Sequence, residues 1–140
     1  MRYSPFLLTH YQASWTRIFS YKGPVHYPGI SVAQKDFEKL DEELKSSIEF
    51  HNKYYDKKKM KEDLNQVLSM RKKYKLQVYC GEFGCYITAP RKLKIQWYKD
   101  IISTFRELKI PYANWSYKGG FGFVNYENNS HDKELEKILI

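Results

Sequence analysis

Residues 78–84 read Val78-Tyr79-Cys80-Gly81-Glu82-Phe83-Gly84, and this stretch decides the fold. A short apolar strand, predicted over Leu76 to Tyr79, runs into a carboxylate that stands between two glycines. Helices are predicted on both sides, and strands separated by helices of this length pair in parallel βαβ units. Groups at the carboxyl ends of such strands face the crevice where ligands bind. Glu82 is therefore the first candidate functional residue, with a turn glutamate paired to a lysine as an equal alternative.

The predicted elements on either side of this stretch alternate between helix and strand. Before it, Asp56 is a suitable N-cap for a helix with an apolar face of Met60, Leu64, Val67, Leu68 and Tyr74. After it, Ala89-Pro90 opens a helix with a buried stripe of Leu93, Trp97, Ile101, Phe105 and Leu108. The remaining predictions are a strand end over Tyr3–Leu8, a helix through Phe37, Leu40, Leu44 and Ile48, a strand over 112–115, a turn over 117–120, a strand or loop over 121–126 and a helix over 132–140.

Composition indicates one globular domain. The 140 residues are 42% hydrophobic and 29% charged, and no run reaches the roughly 20 apolar residues that span a bilayer. The net charge of +8 comes mostly from the runs 57–61 and 71–75, which favour a solvated helix face over a phosphate-binding patch. The two cysteines, Cys80 and Cys85, are too few for a zinc site, and we expect packed free thiols.

Two further runs carry candidate site residues. At the end of the next strand, Trp115 offers a flat face for a sugar ring and Lys118 offers a donor for its hydroxyls. The alternative is that Trp115 is core and Lys118 is merely solvent-exposed. Near the N-terminus, His10 is a candidate general base, although a lone histidine is more often a structural hydrogen-bonding residue.

Three motifs together resemble glycoside hydrolase family 5, the cellulase family. The first is Tyr3-Ser4-Pro5-Phe6-Leu7-Leu8-Thr9-His10 with Ser14-Trp15 and Tyr27-Pro28-Gly29, which is similar to the family's strand-six segment. The second, Gly81-Glu82-Phe83-Gly84, resembles the nucleophile motif on strand seven. The third, running from Trp115 to Gly122, resembles the strand-eight motif. The motifs occur in the family's order, and only residues 31–56 lie outside the match.

The resemblance implies a fold and an activity. The fold is α/β, a partial (β/α)8 TIM barrel with about the last three β/α units, and residues 1–140 are expected to be the C-terminal part of a single catalytic domain. The activity is hydrolysis of β-1,4-glucan with retention of configuration. Glu82 is the implied nucleophile, Tyr3 its hydrogen-bond donor, and Trp115, Lys118 and His10 bind substrate. The expected partner is a β-glucan polysaccharide or oligosaccharide, with no metal or cofactor, nucleic acid or membrane.

The chain also departs from the family pattern. Met1 stands where the family's paired histidine is expected, and the Asn-Glu pair that supplies the acid/base carboxylate is absent. A retaining mechanism needs two carboxyl groups about 5–5.5 Å apart. A three-strand slice of a barrel also has free edges and inward side chains without partners. We therefore expect the isolated chain to be inactive on glucan and prone to associate.

A different class of function is kept open by residues 119–126. Their sequence, Gly119-Gly120-Phe121-Gly122-Phe123-Val124-Asn125-Tyr126, is close to the signature of an RNA-recognition motif and fails only at its first position. That fold requires Phe121 and Phe123 on the exposed face of an antiparallel sheet. It also leaves the first half of the chain unexplained and puts Glu82 where phosphate would approach. A third alternative is a carbohydrate-binding remnant that has lost hydrolysis.

Overall fold

The strand pair around Glu82 is parallel, as predicted. The computed structural model describes residues 4–125 and 127–140. Within them the elements are α1 (Phe6–Thr9), β1 (Gly29–Ile30), α2 (Gln34–Phe37), α3 (Glu42–Glu49), β2 (Tyr54–Tyr55), α4 (Lys57–Tyr74), β3 (Cys80–Phe83), α5 (Arg91–Glu107), β4 (Tyr112–Asn114) and α6 (Lys133–Leu139). β3 and β4 pair in parallel across the α5 crossover, while β1 and β2 form a separate antiparallel pair. The predicted α/β class with parallel strands is thus confirmed.

The two long helices follow from the sequence features that predicted them. The Asp56 side chain accepts a hydrogen bond from the Lys59 backbone N–H at 2.7 Å and so caps α4. This satisfies one of the donors left free at a helix start. In α5, the predicted stripe is buried at Trp97, Ile101 and Phe105. These side chains cover Phe83 of β3, whose ring centroid lies 5.2 Å from that of Phe105.

Three local predictions were wrong in detail. The strand begins at Cys80 rather than Leu76, because pairing with the neighbouring strand starts where the Cys80 N–H donates to the Pro111 carbonyl at 2.8 Å. The predicted helix through residues 37–48 is divided into α2 and α3, because Asp41 caps a new helix by accepting from the Leu44 N–H. The Pro5 carbonyl accepts from two following N–H groups, so the chain turns into α1 where a strand end was predicted.

The basic face of α4 has acidic partners at its N-terminal end. Lys57 and Lys61 donate to the two carboxylate oxygens of Glu107 on α5, at 2.6 and 2.9 Å. These exposed pairs agree with a solvated helix face, although each contributes little to stability. Cys80 and Cys85 are free thiols, half-buried and buried. None of the helices in the described ranges has the length and apolar character needed to cross a bilayer.

The N-terminal region, residues 4–55, is mostly loop and is fastened by polar contacts. The Asn52 side chain accepts from the Val32 N–H at 2.8 Å and donates to the Val32 carbonyl at 3.0 Å. The Tyr27 hydroxyl donates to Asp100 of α5 at 2.9 Å. Thr88, in the loop after β3, donates to the Tyr11 carbonyl. These contacts hold the segment that carries His10 and Trp15 beside the carboxyl end of β3.

Candidate active site

The carboxyl ends of β3 and β4 open into a cavity of about 350 Å³. Its polar wall carries the Glu82 carboxylate and the His10 ring. Its aromatic wall is formed by side chains from three separate segments, namely Phe6, Trp15, Trp115 and Phe121. Its floor is apolar and includes Leu64, Phe83, Trp97, Ile101 and Phe105. A cavity with few polar groups among aromatic side chains is typical of a small-molecule or sugar site.

Glu82 is presented by the alternation of the strand. Phe83 is buried against α5, so its neighbour Glu82 points to the other face and is exposed. Gly84 follows at a point of close approach, where a Cβ would collide with the Trp115 backbone carbonyl. The Trp115 N–H donates to the Phe83 carbonyl at 2.7 Å, which fixes the two strand ends side by side. Glycine at 84 is therefore required to bring carboxylate and indole to one cavity.

Trp115 is held by a network behind it. The buried Tyr98 hydroxyl accepts from the Cys85 N–H at 3.1 Å and donates to the Asn114 side chain at 3.0 Å. Asn114 in turn donates to the Ser116 carbonyl at 3.0 Å. The peptide bond between Trp115 and Ser116 is cis, and the indole is 56% exposed. One phenol thus links the loops after both strands and leaves the indole face accessible.

His10 is a half-buried wall residue. Its ring stacks on Phe6 with centroids 4.2 Å apart, and its Nδ1 lies 3.0 Å from Thr9 Oγ1. Burial, followed by nearby positive charges that include His51, lowers its pKa to about 4. The ring is therefore neutral near pH 7, where it can exchange hydrogen bonds with a neutral ligand but adds no charge.

The structure brings Glu82, Trp115 and His10 into one cavity, although these residues are far apart along the chain. Lys118 is directed elsewhere, because its Nζ donates to the Asn129 side chain at 2.6 Å, and it is not one of the described residues that line the cavity. Tyr3 lies outside the described residues. Trp15 and Phe121 also line the cavity, although the family resemblance implied no role for them. Both lie in quoted motifs, and their aromatic character was the available signal.

The RNA-binding alternative fails its own test. Phe121 lies in a loop and lines the cavity with Glu82, and Phe123 packs against the core. Neither belongs to a strand, and the sheet that contains Glu82 is parallel.

In the ranges 4–125 and 127–140, no group of three or more His, Cys, Asp or Glu side chains is arranged to hold a metal ion.

Comparison with known proteins supports the resemblance to endoglucanases. No protein-family model matches the chain. Endoglucanase C of Acetivibrio thermocellus and endoglucanase C307 of Clostridium sp. strain F1 are each 33% identical to it over 139 residues. These matches cover 98% of this chain and 40% of each relative. Over almost its whole length, the chain is therefore similar to the C-terminal part of a glycoside hydrolase family 5 endoglucanase.

Solved structures share the fold of this chain. A crystal structure of a glycoside hydrolase matches with a TM-score of 0.71 and 26% identity, covering 98% of this chain and 38% of that one. Thermotoga maritima Cel5A in complex with cellobiose matches with a TM-score of 0.69 and 22% identity, covering 98% and 37%. The chain thus spans about two fifths of the length of the family 5 proteins that it resembles.

Proposed function

We propose that this chain is the C-terminal part of the catalytic domain of a retaining β-1,4-glucanase and supplies its nucleophile, Glu82. The main support for this proposal is that Glu82 and the exposed Trp115 line one cavity at the carboxyl ends of two parallel strands. In this account residues 1–140 provide about the last three β/α units of an eight-stranded barrel. β3 and β4 are then strands seven and eight of that barrel.

The proposed chemistry is a double displacement. A Glu82 carboxylate oxygen attacks the anomeric carbon of the glucan while the bond from that carbon to the leaving oxygen breaks. A second carboxyl group, absent from this chain, protonates the leaving oxygen and later deprotonates the water that releases the sugar. Trp115 stacks on the apolar face of a bound glucose, and the neutral His10 ring hydrogen-bonds its hydroxyls. Tyr3 is the proposed hydrogen-bond donor to Glu82, and Lys118 is proposed to contact a neighbouring sugar.

Names of relatives support a β-glucan substrate. The relatives are endoglucanases, and Thermotoga maritima Cel5A has structures with cellobiose and with mannotriose. We therefore propose β-1,4-linked gluco-oligosaccharides as substrates of the complete site. The chain by itself is proposed to bind such sugars without hydrolysing them, because the acid/base group is missing. Turnover of barley β-glucan by the purified 140-residue chain would contradict this last proposal.

A trapping reagent separates the nucleophile from the missing acid. In 2,4-dinitrophenyl 2-deoxy-2-fluoro-cellobioside, the phenolate leaves with its electron pair and needs no proton. The fluorine destabilises the positive charge that develops on release of the sugar, so a glycosyl–Glu82 ester accumulates. Mass spectrometry should find one added 2-deoxy-2-fluorocellobiosyl group on the peptide that contains Glu82.

Matched variants make the trapping result specific. The Glu82→Gln variant should give no adduct, and Glu49→Gln, which changes an exposed carboxylate on α3, should label like the unmodified chain. A label on another carboxylate, or none on the unmodified chain, would overturn the assignment of Glu82.

A further inference from the structure

A second cavity, of about 240 Å³, lies at the N-terminal end of α5 and has no lining residue in common with the Glu82 cavity. Its walls are the first turn of α5, the loop after β4 and the segment that leads into α6. Arg91, Lys94, His131 and Asp132 are the charged or ionisable side chains that line it. Neither the proposed hydrolysis nor the sequence motifs assign this cavity a role.

Lys94 is the unusual residue of this cavity. Lys94 is only 5% exposed. Its Nζ nevertheless makes no hydrogen bond or ion pair with the residues that the structure describes. Buried lysines are rare unless they are paired, because the ammonium loses its hydration. Burial accordingly lowers the pKa of Lys94. The positive end of the 17-residue helix α5 disfavours a cation at this position further.

The one carboxylate in the cavity wall is already neutralised. Arg91 binds both oxygens of Asp132, with Nη2 at 2.8 Å from Oδ1 and Nη1 on Oδ2. The Leu135 N–H donates to Oδ1 at 3.0 Å as well. Arg91 also donates to Glu134, which lies outside the lining, at 2.9 Å. Among the described residues that line the cavity, Lys94 is therefore the cation without an ion pair. An anion inside the cavity would meet an unpaired ammonium and the start of a helix.

Neutral donors complete the surroundings. Ser130 and His131 line the cavity, and Asn125 lines it while its Oδ1 accepts from the backbone N–H groups of Glu127 and Asn128. No described residue accepts a hydrogen bond from the Asn125 amide NH2, which is therefore available to a ligand. Such a combination of one ammonium, a helix N-terminus and hydroxyl or amide donors suits oxygen atoms that carry negative charge.

We propose that this cavity is a binding site for a small oxyanion, a phosphate or carboxylate group, with Lys94 as its principal charged partner. The site is independent of the proposed glucanase chemistry. The loop after β4 nevertheless contributes to both cavities. Phe121 lines the Glu82 cavity, and Gly122 and Phe123 line the oxyanion cavity.

The test is a titration of the 140-residue chain with sodium phosphate at constant ionic strength, followed by ¹H–¹⁵N NMR. The backbone amide resonances of Gly122, Ser130 and His131 should shift together and saturate. Lys94→Met should weaken the affinity about tenfold or more, since a hydrogen bond to a charged group is lost. Lys92→Met, which removes an exposed lysine from the same turn of α5, should leave the affinity unchanged.

Two results would overturn the proposal. One is a chemical shift change that fails to saturate, or that spreads over the exposed lysines of α4. This result is measured on the unmodified chain, so it does not depend on whether Lys94→Met folds. The other is equal affinity in the Lys94→Met and Lys92→Met variants. A parallel titration with sodium acetate identifies the source of the oxyanion. Saturation by both anions supports a carboxylate or phosphate ligand, and saturation by phosphate alone supports a phosphorylated one.

Discussion

The C-terminal region, residues 56–125 and 127–140, packs two long helices on a parallel strand pair, whereas the N-terminal region, residues 4–55, is mostly loop. The first buries aromatic side chains such as Trp97 and Phe105. The second also buries apolar side chains in the same core, among them Leu8, and adds side chains that bond to backbone groups, as Asn52 does to Val32. Both regions contribute to one cavity, with Glu82 and Trp115 from the first and His10 and Trp15 from the second. Regular elements thus position the strand ends, whereas the loops that form the remaining wall combine apolar packing with hydrogen bonds from side chains to the backbone.

The largest effect is expected in the C-terminal region. Trp97 is 2% exposed, and Trp97→Ala should lower the free energy of unfolding by about 3–5 kcal/mol, measured by urea denaturation. Trp97→Phe is the matched control, because the indole Nε1–H is buried without a hydrogen-bond partner among the described residues, and its removal offsets part of the lost volume. Equal losses in both variants would show that volume alone determines stability at this position.

A smaller but distinct loss is expected from the N-terminal region. Asn52→Ala leaves the N–H and the carbonyl of the buried Val32 unpaired and should cost about 1–3 kcal/mol in the same measurement. Gln34→Ala removes an exposed side-chain hydrogen bond to Glu38 and should cost almost nothing. A loss for Asn52→Ala no greater than that for Gln34→Ala would remove the distinction between the two regions.

The stability of the chain should also depend on pH through His10 in the polar wall. Because the pKa of His10 is about 4 in the folded chain and 6.5 is its ordinary value, only the unfolded chain binds this proton between those values. Stability is therefore fully present above pH 6.5 and falls as the pH drops towards 4. Allowing for solvent screening of this half-buried ring, we expect a fall of about 1–2 kcal/mol between pH 7 and 4.5.

The control for this pH effect is His10→Gln, which retains polarity but cannot titrate. Urea unfolding at pH 7 and at pH 4.5 should give a smaller difference for the variant than for the unmodified chain. If both chains lost the same stability, the proton would bind elsewhere and the buried character of His10 would be contradicted.

The smallest effect concerns the join between the regions. Tyr27→Phe removes the hydrogen bond to Asp100 on α5 and should lower the free energy of unfolding by about 1 kcal/mol. Tyr117→Phe, at an exposed position, should be neutral within error. A neutral Tyr27→Phe would mean that this contact does not help to attach the N-terminal region.

Sequence patterns predicted the C-terminal region well for a physical reason. The helical stripe through Trp97, Ile101 and Phe105 is periodic, and Asp56 caps its helix by a local bond, so both signals lie within a few residues. The start of β3 was misplaced because Leu76 and Tyr79 have strand-like side chains but no strand partner. Pairing with Tyr112 decides that boundary, and the sequence alone does not display it.

Only part of the site was predictable, because only some of its residues stand at the ends of regular elements. Glu82 and Trp115 stand at the ends of strands, where the fold class itself predicts function. Trp15 and Phe121 reach the cavity through loops, and Lys118 turns away to Asn129. Contacts of this kind depend on the path of a loop rather than on the period of an element, so motif position alone was insufficient for these residues.

Trp115 and Glu82 line one cavity, which we propose accepts a β-linked glucan. The chain has three tryptophans, so its NMR spectrum should contain three indole N–H resonances, which single substitutions assign. On addition of cellotetraose, the Trp115 resonance should shift and saturate, whereas α-linked maltotetraose should leave it in place. A Trp115 resonance that does not move with cellotetraose, or that moves equally with both sugars, would contradict the account.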